Sequence, residues 1–211
     1  MNLNRIFDPN NLFFREISRL VDVVGLSILW LTLCLPVVTI APAAAALYHT
    51  AVKGLRCGDP AAFSRYLRSF KENWKQGVVV SLIFAPLALV FYFGFNIMCA
   101  APGTTQGTVM LAIYLVAGLM VAGIFSYVFA LLGRFQFSTK DLFITAAKLA
   151  LIHLPVTALV AVLNTLTVCL VGLLVWPVLF LPMLTALITS FPLEKVFAKY
   201  MDEPEELQEE D

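Results

Sequence analysis

Three stretches of this 211-residue chain hold no Asp, Glu, Lys or Arg: residues 23–52, 76–133 and 149–193, with lengths of 30, 58 and 45 residues. The hydrocarbon of a bilayer is ~30 Å thick and is crossed by ~20 apolar residues as helix, with the backbone bonded within the segment. Water offers no comparable place for so much apolar chain. The sequence is 60% hydrophobic and 13% charged, against roughly 25% charged in soluble domains. The fold class is therefore an all-α integral membrane protein, one polytopic domain over residues 1–201 followed by an acidic tail at 202–211.

The formal charge of zero conceals an asymmetry. Seven of the fourteen acids lie in residues 202–211, so the remainder carries a net +7. Its basic residues fall into blocks between the apolar stretches: Arg5, Arg15 and Arg19; then Lys53, Arg56, Arg65, Arg68, Lys71 and Lys75; then Arg134, Lys140 and Lys148; finally Lys195 and Lys199. If every apolar stretch crosses twice, all of them stand on one side, which the positive-inside rule makes the cytoplasm. About six transmembrane helices in three hairpins follow, at 20–35, 43–56, 78–100, 108–133, 149–171 and 173–191, with both termini cytoplasmic. Breaker clusters mark the turns at 101–107 and 172–177, and Pro36 and Pro42 mark the first. Five spans would strand Arg5, Arg15 and Arg19 outside. The leading 22 residues include Asp8, Glu16 and Asp22, unlike the short basic start of a cleavable signal.

Amphipathic interfacial helices are expected on the cytoplasmic side. Asp59-Pro60 has the form of a helix start, and Phe63, Tyr66, Leu67, Phe70 and Trp74 then recur at helical spacing, with Arg65, Arg68, Lys71 and Lys75 on the other side. A helix over 59–75 would lie aromatic face down in the headgroup layer. Asp8-Pro9 starts a similar segment, and Ser138 with Asp141 has the form of a capping box.

The motif Leu35-Pro36-Val37-Val38-Thr39-Ile40-Ala41-Pro42-Ala43-Ala44-Ala45-Ala46-Leu47-Tyr48, with the later Phe63-x6-Phe70-x-x-Asn73-Trp74-Lys75-Gln76-Gly77, resembles the YesL-like family of bacterial multi-pass membrane proteins of unknown function. Ala41 and Ser27 stand where that family usually has glycine and often asparagine. The resemblance implies a bacterial cell-membrane protein encoded beside carbohydrate uptake transporters of the ATP-binding-cassette type, polysaccharide-degrading enzymes and sensor kinases. An accessory or assembly role at such a transporter or sensor is the expectation it carries.

Few residues point to chemistry. A Gly-rich phosphate loop, HExxH, GxSxG and paired carboxylates are all missing from the sequence. No catalytic, cofactor-binding or metal-ligating set is expected, and no nucleic-acid partner. Cys34, Cys57, Cys99 and Cys169 are scattered and read as small hydrophobes. The break formed by Pro36, Thr39 and Pro42 frees backbone carbonyls, which discontinuous helices in transporters use to hold ions or substrates; the plainer reading is a hairpin turn. At depth, Asp22 suits a pair with Arg19, His49 the inner headgroups, and His153 a carbonyl freed by Pro155. Asn96, Asn164, Thr165 and Thr167 suit bonds between helices. Arg65, Arg68, Lys71, Trp74 and Lys75 are the expected partner contact of a non-enzymatic accessory protein. The alternative is a small solute transporter or channel through the Pro36–Pro42 break.

Overall fold

The computed structural model describes residues 12–56, 61–99, 105–174 and 176–201. The Asp8-Pro9 and Asp59-Pro60 helix starts, most of the 101–107 turn and the acidic tail lie outside the described residues. Within them the chain is helical, with no strand: α1 Leu12–Cys34, α2 Ile40–Thr50, α3 Ala62–Glu72, α4 Trp74–Cys99, α5 Thr105–Arg134, α6 Thr139–Ile152, α7 Leu154–Leu173 and α8 Leu181–Met201. A π-helical turn, Ala51–Leu55, extends α2, and 3-10 turns precede α2 and α8. Four helices are long and apolar enough to cross a membrane: α4, α5 from Gly107, α7, and α8 to Tyr200. Their outward faces keep Leu89, Val90, Tyr92, Phe93, Val116 and Val168 exposed, which lipid tolerates and water does not.

The centre of the bundle is the shortest of its apolar helices. Ala43, Ala45 and Ala46 favour helix and present almost no side chain, so neighbouring backbones approach α2 closely. It packs against α1, α3, α4, α5 and α8, and every residue in it except Ile40, Ala44 and His49 is buried. On one side Gly77 of α4 lies against Pro42, where an added Cβ would be 2.6 Å from the proline Cβ and 2.9 Å from its nitrogen. On another, Gly133 of α5 lies against the Ala45 carbonyl.

These contacts bear on the expected returning span at 43–56. Helices α4 and α5 run antiparallel, with Phe84 against Phe125 and Phe129 and, further along, Phe91 against Tyr114 at 5.3 Å. The beginning of α4 and the end of α5 are therefore at the same end of this pair. α2 starts against Gly77 and Ser81 and finishes against Gly133, so both its ends meet that one end. At ~1.5 Å per residue, α2 and its π turn reach roughly 23 Å, short of the ~30 Å hydrocarbon.

Two helix starts are capped from elsewhere in the chain. The Ala41 N–H at the start of α2 donates to Ser81 Oγ of α4 at 2.9 Å, and the Met183 N–H at the start of α8 donates to Ser27 Oγ of α1 at 3.3 Å. Both serines are buried. The first N–H groups of a helix have no partner within it, and a low-dielectric surround makes an empty donor costly. Ser81→Ala is expected to destabilise the protein by about 1 kcal/mol. Ser27→Ala should cost less because its bond is longer, a ranking that thermal unfolding in detergent will test.

Other boundaries also move. The interfacial helix and the span after it meet at Asn73, whose Nδ2 donates to the Ser69 carbonyl at 2.9 Å and closes α3; Trp74 and Lys75 thus open α4. The segment read as a span at 149–171 divides at His153, with α6 ending at Ile152 and α7 starting at Leu154. Pro155 explains the division, since its ring cannot follow a helical turn and it has no N–H. The Thr157 hydroxyl lies 2.7 Å from the Ala150 carbonyl and 3.1 Å from that of His153, taking the role expected of the histidine. His153 Nδ1 is buried with no partner among the described residues. Ser138 does sit at the N-cap of α6 in extended conformation, but its side chain makes no capping bond.

Candidate functional site

At the end of the bundle where α2 finishes, α3 lies across it. Tyr66 and Phe70 are buried beneath α3, and the Tyr66 hydroxyl donates to the Ala43 carbonyl at 3.3 Å. The stripe read as lipid-facing is therefore divided: Tyr66 and Phe70 cover α2, while Phe63, Leu67 and Trp74 remain about 40% exposed. Trp74 meets Phe70 edge to face at 5.2 Å. Arg68, Lys71 and Lys75 are exposed and Arg65 is partly so.

Between α3 and the end of α2 is a cleft of about 350 Å³, lined by His49, Ala61, Ser64, Arg65, Arg68, Ser69 and Glu72. Of the expected contact residues it brings together Arg65 and Arg68; Lys71, Trp74 and Lys75 stand outside it. Arg68 Nε donates to Glu72 Oε1 at 2.9 Å, one helical turn on. That bond pushes the guanidinium further above its ordinary range, so Arg68 is charged at any physiological pH. His49 enters from α2, with its Nδ1 2.7 Å from the Gly133 carbonyl. A carbonyl only accepts, so Nδ1 carries the proton, and Nε2 has no hydrogen-bond partner among the described residues.

Beside the cleft is a polar cluster that sequence reasoning did not assemble. Glu194 of α8 accepts from the Tyr48 hydroxyl of α2 at 2.9 Å and pairs with Arg134 at the end of α5. Both charged side chains are mostly buried, at 15% and 21% exposed. Arg56 lies over the Phe191 ring at 4.3 Å, and Gln76 Nε2 donates to the Phe137 carbonyl at 2.9 Å. Glu194 borders the last charge-free stretch and Arg134 the middle one. That position was the available signal, but nothing local says that the two meet.

The Pro36 to Pro42 break is narrower than its prolines suggest. Only Leu35 and Pro36 leave the helical path before the 3-10 turn Val37–Thr39, and Pro42 sits inside the first turn of α2, where a missing N–H costs nothing. Thr39 is buried; its hydroxyl lies between the carbonyls of Leu33 and Pro36, and its N–H donates to Pro36 O at 3.0 Å. The freed carbonyls are thus held within the turn.

Residues 23–95 match a family described as a protein of unknown function, DUF624. No curated protein and no solved structure matches the chain. The matched third of the chain runs from α1 into α4, and its two motif segments meet in space: Pro42 at Gly77 and Ala43 at Tyr66. Of the polar residues within helices, Asn164 bonds Ser126 at 2.8 Å and Thr167 bonds Thr185 at 2.6 Å, each between helices, while Asn96 bonds back to the Tyr92 carbonyl of its own helix.

Proposed function

We propose that this chain is a non-enzymatic multi-pass protein of a bacterial cell membrane that docks a partner through the cationic face of α3. The observation that carries this reading is the fixing of α3: Tyr66 and Phe70 pin it to α2, so Arg65, Arg68 and Lys71, with Lys75 beyond Asn73, form a preorganised surface. Ordering that face before binding lowers the entropic cost of association. The YesL-like resemblance suggests the partner, a carbohydrate transporter of the ATP-binding-cassette type or its sensor kinase. A transporter or channel path through the Pro36, Thr39 and Pro42 break has less support, because the groups there bond to one another.

In the membrane, α4, α5, α7 and α8 cross, and α1 with α2 forms a re-entrant pair whose turn does not reach the far side. This keeps both termini and the basic blocks cytoplasmic, as six crossings in three hairpins also would. A single cysteine at Val38 distinguishes the two: six crossings make it reactive to an impermeant thiol reagent outside the cell, and the re-entrant pair leaves it unlabelled.

The triple change Arg65→Glu, Arg68→Glu, Lys71→Glu is expected to reduce co-purification of the partner transporter at least tenfold, since three reversed charges repel an acidic surface. Undiminished recovery from correctly inserted protein would remove the docking proposal. Solute flux by the purified chain in liposomes, sensitive to Thr39 substitution, would support the transporter instead.

A further inference from the structure

We propose that the break between α6 and α7 is a binding site for one buried water molecule, held by Tyr127 of α5 together with His153 and Thr157. Tyr127 is wholly buried, and its hydroxyl makes no hydrogen bond of ordinary geometry among the described residues. A phenylalanine would fill the same space without burying that oxygen. His153 Nδ1 is a second buried atom in the same condition. Buried polar atoms are nearly always bonded to protein or to ordered water, and in lipid a broken helix depends on such partners.

Contacts from two helices bring these groups together. Gly123, one turn before Tyr127 on α5, leaves no room for a Cβ against the Thr157 methyl, and the Tyr127 hydroxyl lies beside the Thr157 side chain. Thr157 follows His153 by four residues, so the two share a face at the start of α7. On α8, Phe197 meets the Tyr127 ring at 6.3 Å and Tyr200 meets the His153 ring at 5.8 Å. Three residues apart, these rings stand on one face and cover the same region. The hydrogen-bond count then closes for water. Thr157 Oγ1 gives its one proton to the Ala150 carbonyl at 2.7 Å and keeps lone pairs that accept. With its proton on Nε2, His153 presents Nδ1 as a second acceptor, and Tyr127 is the donor. Water accepts from Tyr127 and donates to Nδ1 and to Thr157 Oγ1, which makes about three bonds, the usual number for a buried water. None of the three side chains carries the fixed charge that an ion would need.

X-ray hydroxyl-radical footprinting of the full-length chain in nanodiscs tests the site directly. Radicals formed from a resident water modify the side chain that binds it, even where bulk solvent does not reach. Tyr66, equally buried but bonded to the Ala43 carbonyl, is the internal reference. Tyr127 is expected to be modified several-fold faster than Tyr66, and His153→Leu should remove most of that difference. Thermal unfolding in detergent gives a second readout. Tyr127→Phe is expected to lower the unfolding temperature by about 2–4 °C, the loss of one satisfied hydrogen bond; a hydroxyl with no partner at all would give no change or a rise. The double change Tyr127→Phe, His153→Leu should lose clearly less than the two single losses added, as groups sharing one ligand do. Modification of Tyr127 no faster than that of Tyr66, an unchanged or raised unfolding temperature for Tyr127→Phe, or strictly additive losses would each overturn the site. The test needs neither a partner protein nor the cationic face of α3, so its outcome is separate from that of the docking reading.

Discussion

Glu194→Ala is expected to destabilise the protein by about 2–4 kcal/mol, the largest effect of any single side-chain truncation considered. The carboxylate joins three helices: it accepts from Tyr48 of α2, pairs with Arg134 of α5, and belongs to α8. Its removal takes the paired carboxylate away from a guanidinium that is only 21% exposed and deprives a buried phenol of its acceptor. An uncompensated charge in a poorly solvated site costs far more than the intact pair contributes, because the pair's attraction is largely offset by the desolvation of both ions. Removing both charges should therefore do less harm than removing one. The double change Arg134→Met, Glu194→Met is expected to recover at least half of the loss, and Tyr48→Phe alone should cost about 1 kcal/mol. Thermal unfolding in detergent, followed by tryptophan fluorescence, measures all of these. An unfolding temperature for Glu194→Ala equal to that of the unmodified chain would falsify the structural role of the pair.

Gly133→Ala is the second large expected effect, and its sign distinguishes tertiary packing from helix propensity. Within an isolated helix, alanine is favoured over glycine by about 1 kcal/mol. At Gly133, however, the new methyl group collides with the Ala45 carbonyl, which is backbone and cannot swing aside, and Gly133's own carbonyl orients His49. Gly77→Ala meets the rigid ring of Pro42 in the same way. Each change is expected to destabilise by about 1–3 kcal/mol through overpacking. Gly172, near the end of α7, has nothing within 4 Å of an added Cβ, so Gly172→Ala should be neutral or stabilising. Comparing the three unfolding temperatures tests whether α2 is clamped between α4 and α5; equal behaviour at all three positions would show that it is not.

Much of the architecture is legible in local composition. A charged side chain in hydrocarbon is so unfavourable that long stretches without one announce their solvent, and each of the four helices suited to crossing lies mostly within such a stretch. The division of α3 into faces was also readable, since Tyr66 and Phe70 fall on one side and Arg68 and Lys71 on the other. What covers the apolar face was not: a lipid and the alanines of α2 are equally apolar, and the pattern of one helix does not choose between them. Within the candidate cleft, Arg65 and Arg68 were visible as a cationic face. The contribution of His49 depends on a carbonyl 84 residues away.

The sequence alone determined that this chain dissolves in lipid, folds as helices and segregates its basic residues into blocks between apolar runs, because those outcomes follow from the transfer free energy of each segment by itself. Only the tertiary structure decided that α2 is a short central helix, that Ser27 and Ser81 cap helices to which they do not belong, and that Arg134 meets Glu194. Each of these depends on which groups a neighbouring helix brings within hydrogen-bond or packing distance. That is set by the close approach of backbones at Gly77, Gly133 and the alanines of α2, and not by the polarity of any one segment.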